Sequence, residues 1–156
     1  MSSAKWISAP KYITKDISEN IVVYDIEYET SGLKDHITKN NLGVCFFSPI
    51  KHGILTGKYN SIPDFPKGDF RRSVKEFKDI EFIKKMKENK KKIESRFPNL
   101  GEDAIMHSLL GAVLFDNPTA CVLLGQRNKT QAKIAGRLGK PITKEDSLWI
   151  LSLYRK

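Results

Sequence analysis

A chain of 156 residues is long enough to bury a sizeable core, and residues 1–156 are expected to form a single domain. Its 40% of hydrophobic and 10% of aromatic residues exclude a disordered chain. No run of about 18 apolar residues is present, which excludes a membrane-spanning helix, whereas the net charge of +9 leaves a nucleic acid open as a partner.

The N-terminal segment and the cysteines both indicate a cytoplasmic protein. Residues 1–16 have no apolar central region and do not resemble a secretory signal. Cys45 and Cys121 each lie inside an apolar run, so buried free thiols in a reducing cytosol are expected rather than a disulfide. No group of His, Cys, Asp and Glu has metal-ligand spacing, and no pairing of a nucleophile with a base is recognisable, so neither metal ligands nor catalytic residues are predicted.

Short apolar runs alternate with helical patterns along the chain. Strands are predicted at residues 20–28, Leu42–Phe47 and Ala120–Leu124. Helices are predicted at residues 30–41, 74–97, 104–115 and 129–138 and after Thr143, with a long loop from Ser48 to about Ser73. This alternation, together with continuously apolar strands, indicates parallel β/α units whose sheet is covered on both faces.

The segment Lys84–Arg96, KKMKENKKKIESR, carries much of the positive charge. Such a run could bind nucleic acid or acidic lipid. The nearby apolar residues fall on one helical side, which favours a solvated helix face with the lysines outward: Phe82, Ile83, Met86 and Ile93. No aromatic stacking platform or zinc-finger spacing accompanies the lysines, so a nucleic-acid partner is not expected.

The last helix has a recognisable start. The Thr143 hydroxyl can cap it, with Asp146 as the partner in a capping box. Its apolar face is predicted to consist of Leu148, Ile150, Leu151 and Tyr154.

Two loops follow predicted strands on what should be one edge of a parallel sheet. They begin at Ser48 and at Gly125, and each contains glycine and cationic residues. Ligand loops lie at the carboxyl ends of parallel strands, and the second loop leads into a helix whose N-terminus would attract an anion. An anionic, phosphate-bearing ligand is therefore the prediction.

Four segments, in order, resemble the later half of the aldo-keto reductases. Residues 47–59, FSPIKHGILTGKY, are similar to the family's strand end followed by Ser-Pro-Leu and Gly-Leu-Leu-Thr-Gly-Lys-Tyr. Residues 68–71, GDFR, match Gly-Asp-x-Arg, and residues 124–131, LGQRNKTQ, match Gly-x-Arg-x-x-x-Gln without its preceding proline. Upstream, residues 25–28, DIEY, look like the family's Gln-x-Glu-Tyr strand.

The resemblance implies an α/β fold that is part of a (β/α)8 TIM barrel, roughly its strands 6–8 with their helices. Residues 1–19 would then be the remains of the fifth loop and helix. Family members reduce carbonyl groups with NADP(H), using an aspartate, a tyrosine, a lysine and a histidine at the first four strand ends. No counterparts of those positions occur in these 156 residues, so unaided reductase activity is not expected. His52 and Lys58, in the cofactor loop, are weak candidates for a proton relay.

By the resemblance, the loop after Phe47 carries half of an NADP(H) site. The ring of Phe47 would stack on the nicotinamide. Ser48, Ile50 and Gly53 would line the pyrophosphate through hydroxyl and backbone groups. Asp25 replaces the glutamine that usually holds the nicotinamide amide, which adds a negative charge.

The loop after Leu124 would carry the other half. Gly125 would allow close backbone approach, Arg127 would pair with the 2′-phosphate, and Gln131 would help to hold the adenosine. Arginine suits a phosphate because its planar guanidinium donates two hydrogen bonds at once. Ile134 and Ala135 stand where a Glu-Asn pair usually contacts adenine.

A half-barrel would expose strand edges and the core on its missing side. The first expectation is therefore a chain that self-associates and lacks reductase activity of its own. The alternative is one subunit of a split reductase, completed by a separate N-terminal half-barrel. A basic nucleic-acid-binding module, based on Lys84–Lys92, is the weakest alternative.

Overall fold

A computed structural model of the protein describes the backbone of residues 6–10 and, in full, residues 31–115, 117, 119–138 and 142–154. The predicted strand at residues 20–28, with Asp25 in it, lies outside the described residues. The chain divides into two compact units, each treated separately below. The sheet unit comprises Met1–Pro49 and Met106–Lys156, and the loop unit comprises Ile50–Ile105.

A parallel three-stranded sheet organises the sheet unit. Its strands are β1 (Trp6–Pro10), β2 (Gly43–Phe47) and β3 (Ala120–Leu123), in the order β1-β2-β3. In the register of β2 and β3, Val44 lies opposite Ala120 and Phe47 opposite Leu123. The interpretation of residues 1–19 as loop and helix was wrong at β1, because a five-residue strand that ends in Ala-Pro shows neither a long apolar run nor clear alternation.

The helices match their predicted positions with shorter bounds. They are α1 (Leu33–Lys39), α2 (Ile80–Arg96), α3 (Ala104–Leu114), α4 (Lys129–Arg137) and α5 (Lys144–Tyr154). Helix α1 stops at Asn40, and Asn41 then takes a positive φ of 49°, a conformation that asparagine tolerates better than most residues. None of the helices in the described part of the chain is long and apolar enough to cross a membrane.

The start of α5 confirms the predicted capping box. The Asp146 N–H donates to Thr143 Oγ1 at 3.0 Å, and the Thr143 hydroxyl donates to Asp146 Oδ2 at 2.8 Å. Ile150 and Tyr154 are fully buried, as expected of the apolar face. Leu148 is 54% exposed, so its assignment to that face was wrong. Position 148 is only two residues from 150, which puts it about 200° around the helix from that residue.

The two faces of the sheet differ in how well they are covered. Val44 and Phe46 are completely buried on one face. The other face, called the open face below, carries Cys45 and Phe47 on β2 and Cys121 and Leu123 on β3. Cys45 and Phe47 are half-buried, Cys121 is exposed and Leu123 is 58% exposed. The predictions of a sheet covered on both faces and of two buried thiols were therefore wrong on this face.

Helix α2 is the centre of the loop unit. Asp79 caps it, its Oδ1 accepting from the Phe82 N–H at 3.0 Å. The predicted apolar stripe is confirmed, because Phe82, Ile83, Met86 and Ile93 are all buried. The lysines of the helix are exposed or half-buried, as a solvated face requires.

Residues 68–71 have a structural role within the loop unit. Asp69 caps a short 3-10 helix at Phe70–Ser73, and its carboxylate accepts from the Arg71 side chain, with Arg71 Nη2 at 2.6 Å from Oδ2. The guanidinium carbon of Arg71 lies 4.1 Å from the ring centroid of Phe65. Phe65 in turn packs edge-on against Phe77, with ring centroids 5.0 Å apart. The ion pair thus fixes the loop that leads into α2.

Gly57 allows the loop after residue 50 to touch α2. Its φ is +65°, and a Cβ at this position would lie 2.3 Å from the Met86 carbonyl oxygen and 2.8 Å from Lys90 Cβ. Gly68 also has a positive φ, of +91°, but a Cβ there would meet nothing within 4 Å. The two glycines therefore separate the cost of backbone conformation from the cost of a steric clash.

We predict that Gly57→Ala destabilises the protein much more than Gly68→Ala does. Both changes force a side chain into the left-handed region, at about 1–2 kcal/mol. Only Gly57→Ala also drives a methyl group into helix backbone, which adds about 1–3 kcal/mol. Urea unfolding followed by circular dichroism measures both variants, and equal losses of unfolding free energy would contradict the close approach.

Candidate cofactor site

The carboxyl ends of β2 and β3 lie side by side. The register pairs Phe47 with Leu123, so Ser48 and Leu124 follow at the same edge of the sheet. Phe47, the predicted nicotinamide-stacking residue, is half-buried on the open face at this edge. The sheet unit therefore brings together the starts of the two loops that the sequence predicted to bind an anion.

The loop after β3 is held by hydrogen bonds to the first turn of α4. Asn128 caps the helix, its Oδ1 accepting from the Gln131 N–H at 3.0 Å. Gln131 Oε1 accepts in return from the backbone N–H of Arg127 at 2.7 Å. Arg127 and Gln131 are both exposed. Gln131 thus shapes the loop as well as standing where the family contacts adenosine, a structural role that the sequence did not indicate.

Gly125 is not required by the packing of the described residues. A Cβ added there would meet nothing within 4 Å, and its φ lies outside the left-handed region. Neither backbone conformation nor a neighbouring group explains a glycine at this exposed position. Close approach of a ligand, the role that the resemblance implies, remains a prediction.

The loop after β2 contains several residues in the left-handed region. Ser48 has a φ of 56° and is half-buried. Positive φ is uncommon for residues other than glycine, and such conformations cluster at ligand-binding sites. Ile50 and Gly53 belong to the loop unit, where the Ile50 carbonyl accepts from the Gly53 N–H at 2.9 Å. A cofactor role for these residues remains a prediction.

A buried ion pair lies within the loop unit. Lys51 Nζ donates to Glu76 Oε1, and Lys51 and Glu76 are only 8% and 4% exposed. Glu76 Oε2 is buried with no hydrogen-bond partner. Burial lowers the pKa of Lys51, although the hydrogen bond and charge of Glu76 act to raise it. Sequence reasoning missed this pair, because nothing in the sequence relates a loop lysine to a glutamate 25 residues later.

The histidines do not form a catalytic group. His52 is exposed, and its ring packs edge-on against Phe70 with centroids 4.6 Å apart. His36 is exposed on α1 and His107 is buried on α3, as their helical positions suggested. Within the described residues, no three His, Cys, Asp or Glu side chains are placed to hold a metal ion.

The sheet unit also contains a cavity of about 690 Å3 between α3, β3 and α4. Its lining is mainly apolar and includes Leu110, Val122 and Leu138. Leu124 and Gln126, the neighbours of Gly125, also line it. None of the seven residues predicted to bind the cofactor lines it, but Ala135, which stands where the family contacts adenine, does.

Sequence comparison confirms the resemblance to aldo-keto reductases. The chain is 36% identical over 62 residues to an NADP(+) aldo-keto reductase of Schizosaccharomyces pombe, a match that covers 40% of this chain and 18% of that protein. It is 40% identical over 55 residues to a putative pyridoxal reductase of Saccharomyces cerevisiae, covering 35% of this chain and 16% of that protein. An aldo-keto reductase of Strobilurus tenacellus matches at 36% identity over 62 residues, again 40% of this chain and 18% of the relative.

The fold is similar to that of a solved aldo-keto reductase barrel, a glycerol dehydrogenase from Gluconobacter oxydans. The TM-score is 0.71 at 21% sequence identity, over 95% of this chain and 41% of that one. The matches thus span less than a fifth of the curated relatives and about two fifths of the solved structure. No protein-family model matches the chain.

We predict that Glu76→Gln costs about 3–5 kcal/mol of unfolding free energy near neutral pH, because it leaves the Lys51 ammonium buried without a counter-charge. Loss of Glu76 also removes the influences that raise the pKa of Lys51. A lysine whose folded pKa lies below its ordinary 10.5 binds fewer protons in the folded state than in the unfolded state. The free energy of unfolding therefore rises with pH between the folded pKa and 10.5. In the variant this rise should begin at lower pH and be larger than in the wild type.

Urea unfolding between neutral and alkaline pH measures both effects. Glu81→Gln is the matched control, because Glu81 pairs with Lys84 on the surface of the same unit and its loss should cost less than about 1 kcal/mol. Equal losses for the two variants would show that the buried pair contributes no more than an exposed one.

Proposed function

We propose that this chain is the NADP(H)-binding, C-terminal half-barrel of an aldo-keto-reductase-type carbonyl oxidoreductase, and that it does not reduce carbonyl compounds unaided. The observation that carries the proposal is the adjacent pairing of Phe47 with Leu123. It puts the two loops that resemble the family's cofactor loops at one edge of a parallel sheet, where such folds bind their ligands.

The chemistry of these loops suits a phosphorylated dinucleotide. Phe47 offers a half-buried aromatic ring on the open face, suited to stacking on a nicotinamide. The exposed guanidinium of Arg127 suits the 2′-phosphate that distinguishes NADP from NAD. At Gly125 the absence of a side chain and of close neighbours allows a ligand to reach the backbone. Ser48 adds a hydroxyl at the same edge.

Three further residues complete the proposed cofactor set. Ile50 and Gly53 would line the pyrophosphate, in the loop that follows Ser48, with the Gly53 N–H already donating to the Ile50 carbonyl. Gln131 Oε1 already accepts from the Arg127 backbone N–H. Its side-chain NH2 group would then be the part that faces the adenosine.

We propose that the residues which the structure describes do not supply the acid that carbonyl reduction needs. Hydride transfer must be matched by a proton donated to the developing alkoxide. Of the tyrosines in the described ranges, Tyr59 packs edge-on against Phe77, and burial raises the pKa of Tyr154, which makes it a weaker acid. His52 and Lys58 are both exposed, and a site open to water holds a proton donor in place less firmly.

We further propose that the open face is covered by association, in the first instance with a second copy of the chain. Leu123 is 58% exposed there, next to the half-buried Phe47. Within the described residues, β1 and β3 form the edges of the sheet. Exposed strand edges and apolar faces favour pairing with another chain.

A second candidate is an active reductase in which an N-terminal half-barrel covers the open face and supplies the catalytic groups. The fold-level match to 41% of a complete barrel favours it. Either candidate fits a cytoplasmic enzyme, because NADPH is the reductant the family uses. The nucleic-acid alternative receives no support beyond the exposed lysines of α2.

We predict that the chain binds NADPH and that Arg127→Ala weakens the affinity about tenfold or more, because a charge-assisted bond to the 2′-phosphate is lost. Binding of NADH, which lacks that phosphate, should change little. Titration of cofactor fluorescence measures both affinities.

Lys133→Ala is the matched control for this change. It removes an equal charge from an exposed position on α4, the helix that follows the Arg127 loop, and should leave both affinities unaltered. An equal loss of NADPH affinity in Lys133→Ala would show that Arg127→Ala acts only through the net charge of the chain. Steady oxidation of NADPH by an aldehyde, catalysed by this chain alone, would contradict the second part of the proposal.

We predict that the chain is a dimer or larger and that Leu123→Lys shifts it toward monomer, because a charge is placed on the open face. Size-exclusion chromatography with light scattering measures the change. Leu148→Lys is the matched control, since Leu148 is 54% exposed on α5, and it should leave the mass unchanged. A wild-type chain that is a stable, uniform monomer would contradict self-association.

A further inference from the structure

The two cysteines of the chain meet on the open face. Cys45 on β2 and Cys121 on β3 occupy the same register position, so their side chains leave the sheet on the same side. Cys121 contributes to a raised pKa of Cys45, as a close neighbour would. Both residues are free thiols in this structure. The sequence predicted two separate buried thiols, and nothing in it indicates that the cysteines are neighbours.

The spacing of the strands is compatible with a covalent bond between these thiols. Neighbouring strands lie about 4.7–4.9 Å apart, and disulfides join Cα atoms about 4.4–6.8 Å apart. Cross-strand neighbours in register therefore have a backbone spacing within the range that a disulfide spans.

The two thiols differ in their access to solvent. Cys121 is exposed, whereas Cys45 is half-buried. Burial and the neighbouring Cys121 raise the pKa of Cys45, which makes its thiolate scarcer than that of an ordinary cysteine. In a chain whose open face is not covered by association, a reagent in solution therefore meets Cys121 first, and Cys45 stands behind it as the second thiol.

We propose that Cys45 and Cys121 form a peroxide-responsive site that closes to an intramolecular disulfide. The Cys121 thiolate attacks one oxygen of a hydroperoxide. A sulfur–oxygen bond forms, the oxygen–oxygen bond breaks, and the alcohol or water leaves, giving a sulfenic acid. The Cys45 sulfur then attacks the Cys121 sulfur, a disulfide forms, and the sulfenic hydroxyl leaves as water with the proton from Cys45. The peroxide is reduced by two electrons and the two thiols are oxidised.

The disulfide is expected to be reversible. Exposed disulfides are the labile ones, open to attack by a dithiol, which restores both cysteines. The bond would fix β2 to β3 two residues before Phe47 and Leu123, at the base of the predicted cofactor edge. This inference rests on the strand register and the exposure of Cys121, and not on the proposed function.

The full chain, reduced, freed of reductant and diluted until light scattering shows a monomer, provides the test. After treatment with hydrogen peroxide, we expect an intact mass lower by two hydrogen atoms and no free thiol for maleimide. Proteolysis without reductant should yield one linked pair of peptides that contain Cys45 and Cys121. Dithiothreitol should restore both thiols.

Two variants distinguish a disulfide that depends on the cross-strand pairing of Cys45 and Cys121 from oxidation of any two thiols. In Cys45→Ser the second thiol is lost, and Cys121 should be trapped as a sulfenic acid that dimedone labels. The double change Cys121→Ser with Val122→Cys keeps two thiols but moves one to the opposite face of β3, facing away from Cys45. Its disulfide should form at least about tenfold more slowly than that of the wild type.

The outcomes divide cleanly. A linked peptide in the wild type, with slow closure in the face-switched variant, supports the site. Thiols that remain open to maleimide after peroxide overturn it, as do covalent dimers in place of the internal bond or equal closure rates in the two chains. If the face-switched variant fails to fold by circular dichroism, dimedone labelling of Cys45→Ser decides, and its absence overturns the proposal.

Discussion

The in-register pairing of β2 with β3 is the interaction on which the sheet unit depends. It joins segments 77 residues apart, where Thr119 Oγ1 donates to the Leu42 carbonyl at 2.8 Å and β3 then continues alongside β2. Contacts so distant in sequence close a long loop before they stabilise anything, so the complete burial of Val44 and Phe46 has to offset that entropy. The same register fixes which side chains share the open face, and with it the place of Phe47.

Local signals in the sequence predicted the helices well, and non-local ones poorly. The cap at Thr143 and the apolar stripe of α2 depend on residues within a turn or two, so single-sequence patterns report them. The exposure of Cys121 depends on what covers the far side of the sheet, and the partner of Lys51 lies on another segment. Neither the exposure of Cys121 nor the partner of Lys51 can be predicted from local periodicity. Strand β1 failed for a third reason, because five residues are too few to establish a pattern.

The candidate site was predicted through motifs rather than periodicity, and its two parts fared differently. The register explains why Phe47 and Gly125 follow neighbouring strands, so the sheet-unit half of the predicted set shares one edge. The motif at residues 68–71 proved to be a local brace, in which Asp69 holds Arg71 against Phe65. A family motif can therefore persist because the fold needs it, whether or not a ligand does. Residues such as Gly125, which packing does not explain, are the better indicators of binding.

The hydrogen bond from the Arg127 backbone to Gln131 bears on how any anion would be held at this edge. A loop that is already ordered loses little conformational entropy when a ligand arrives, so more of the contact energy is available as affinity. Loosening the loop would then weaken binding without touching a single ligand contact, and it would do so by making the entropy of association less favourable. Gln131, which has an amide and no charge, would in that way set the strength of a contact that a neighbouring guanidinium makes.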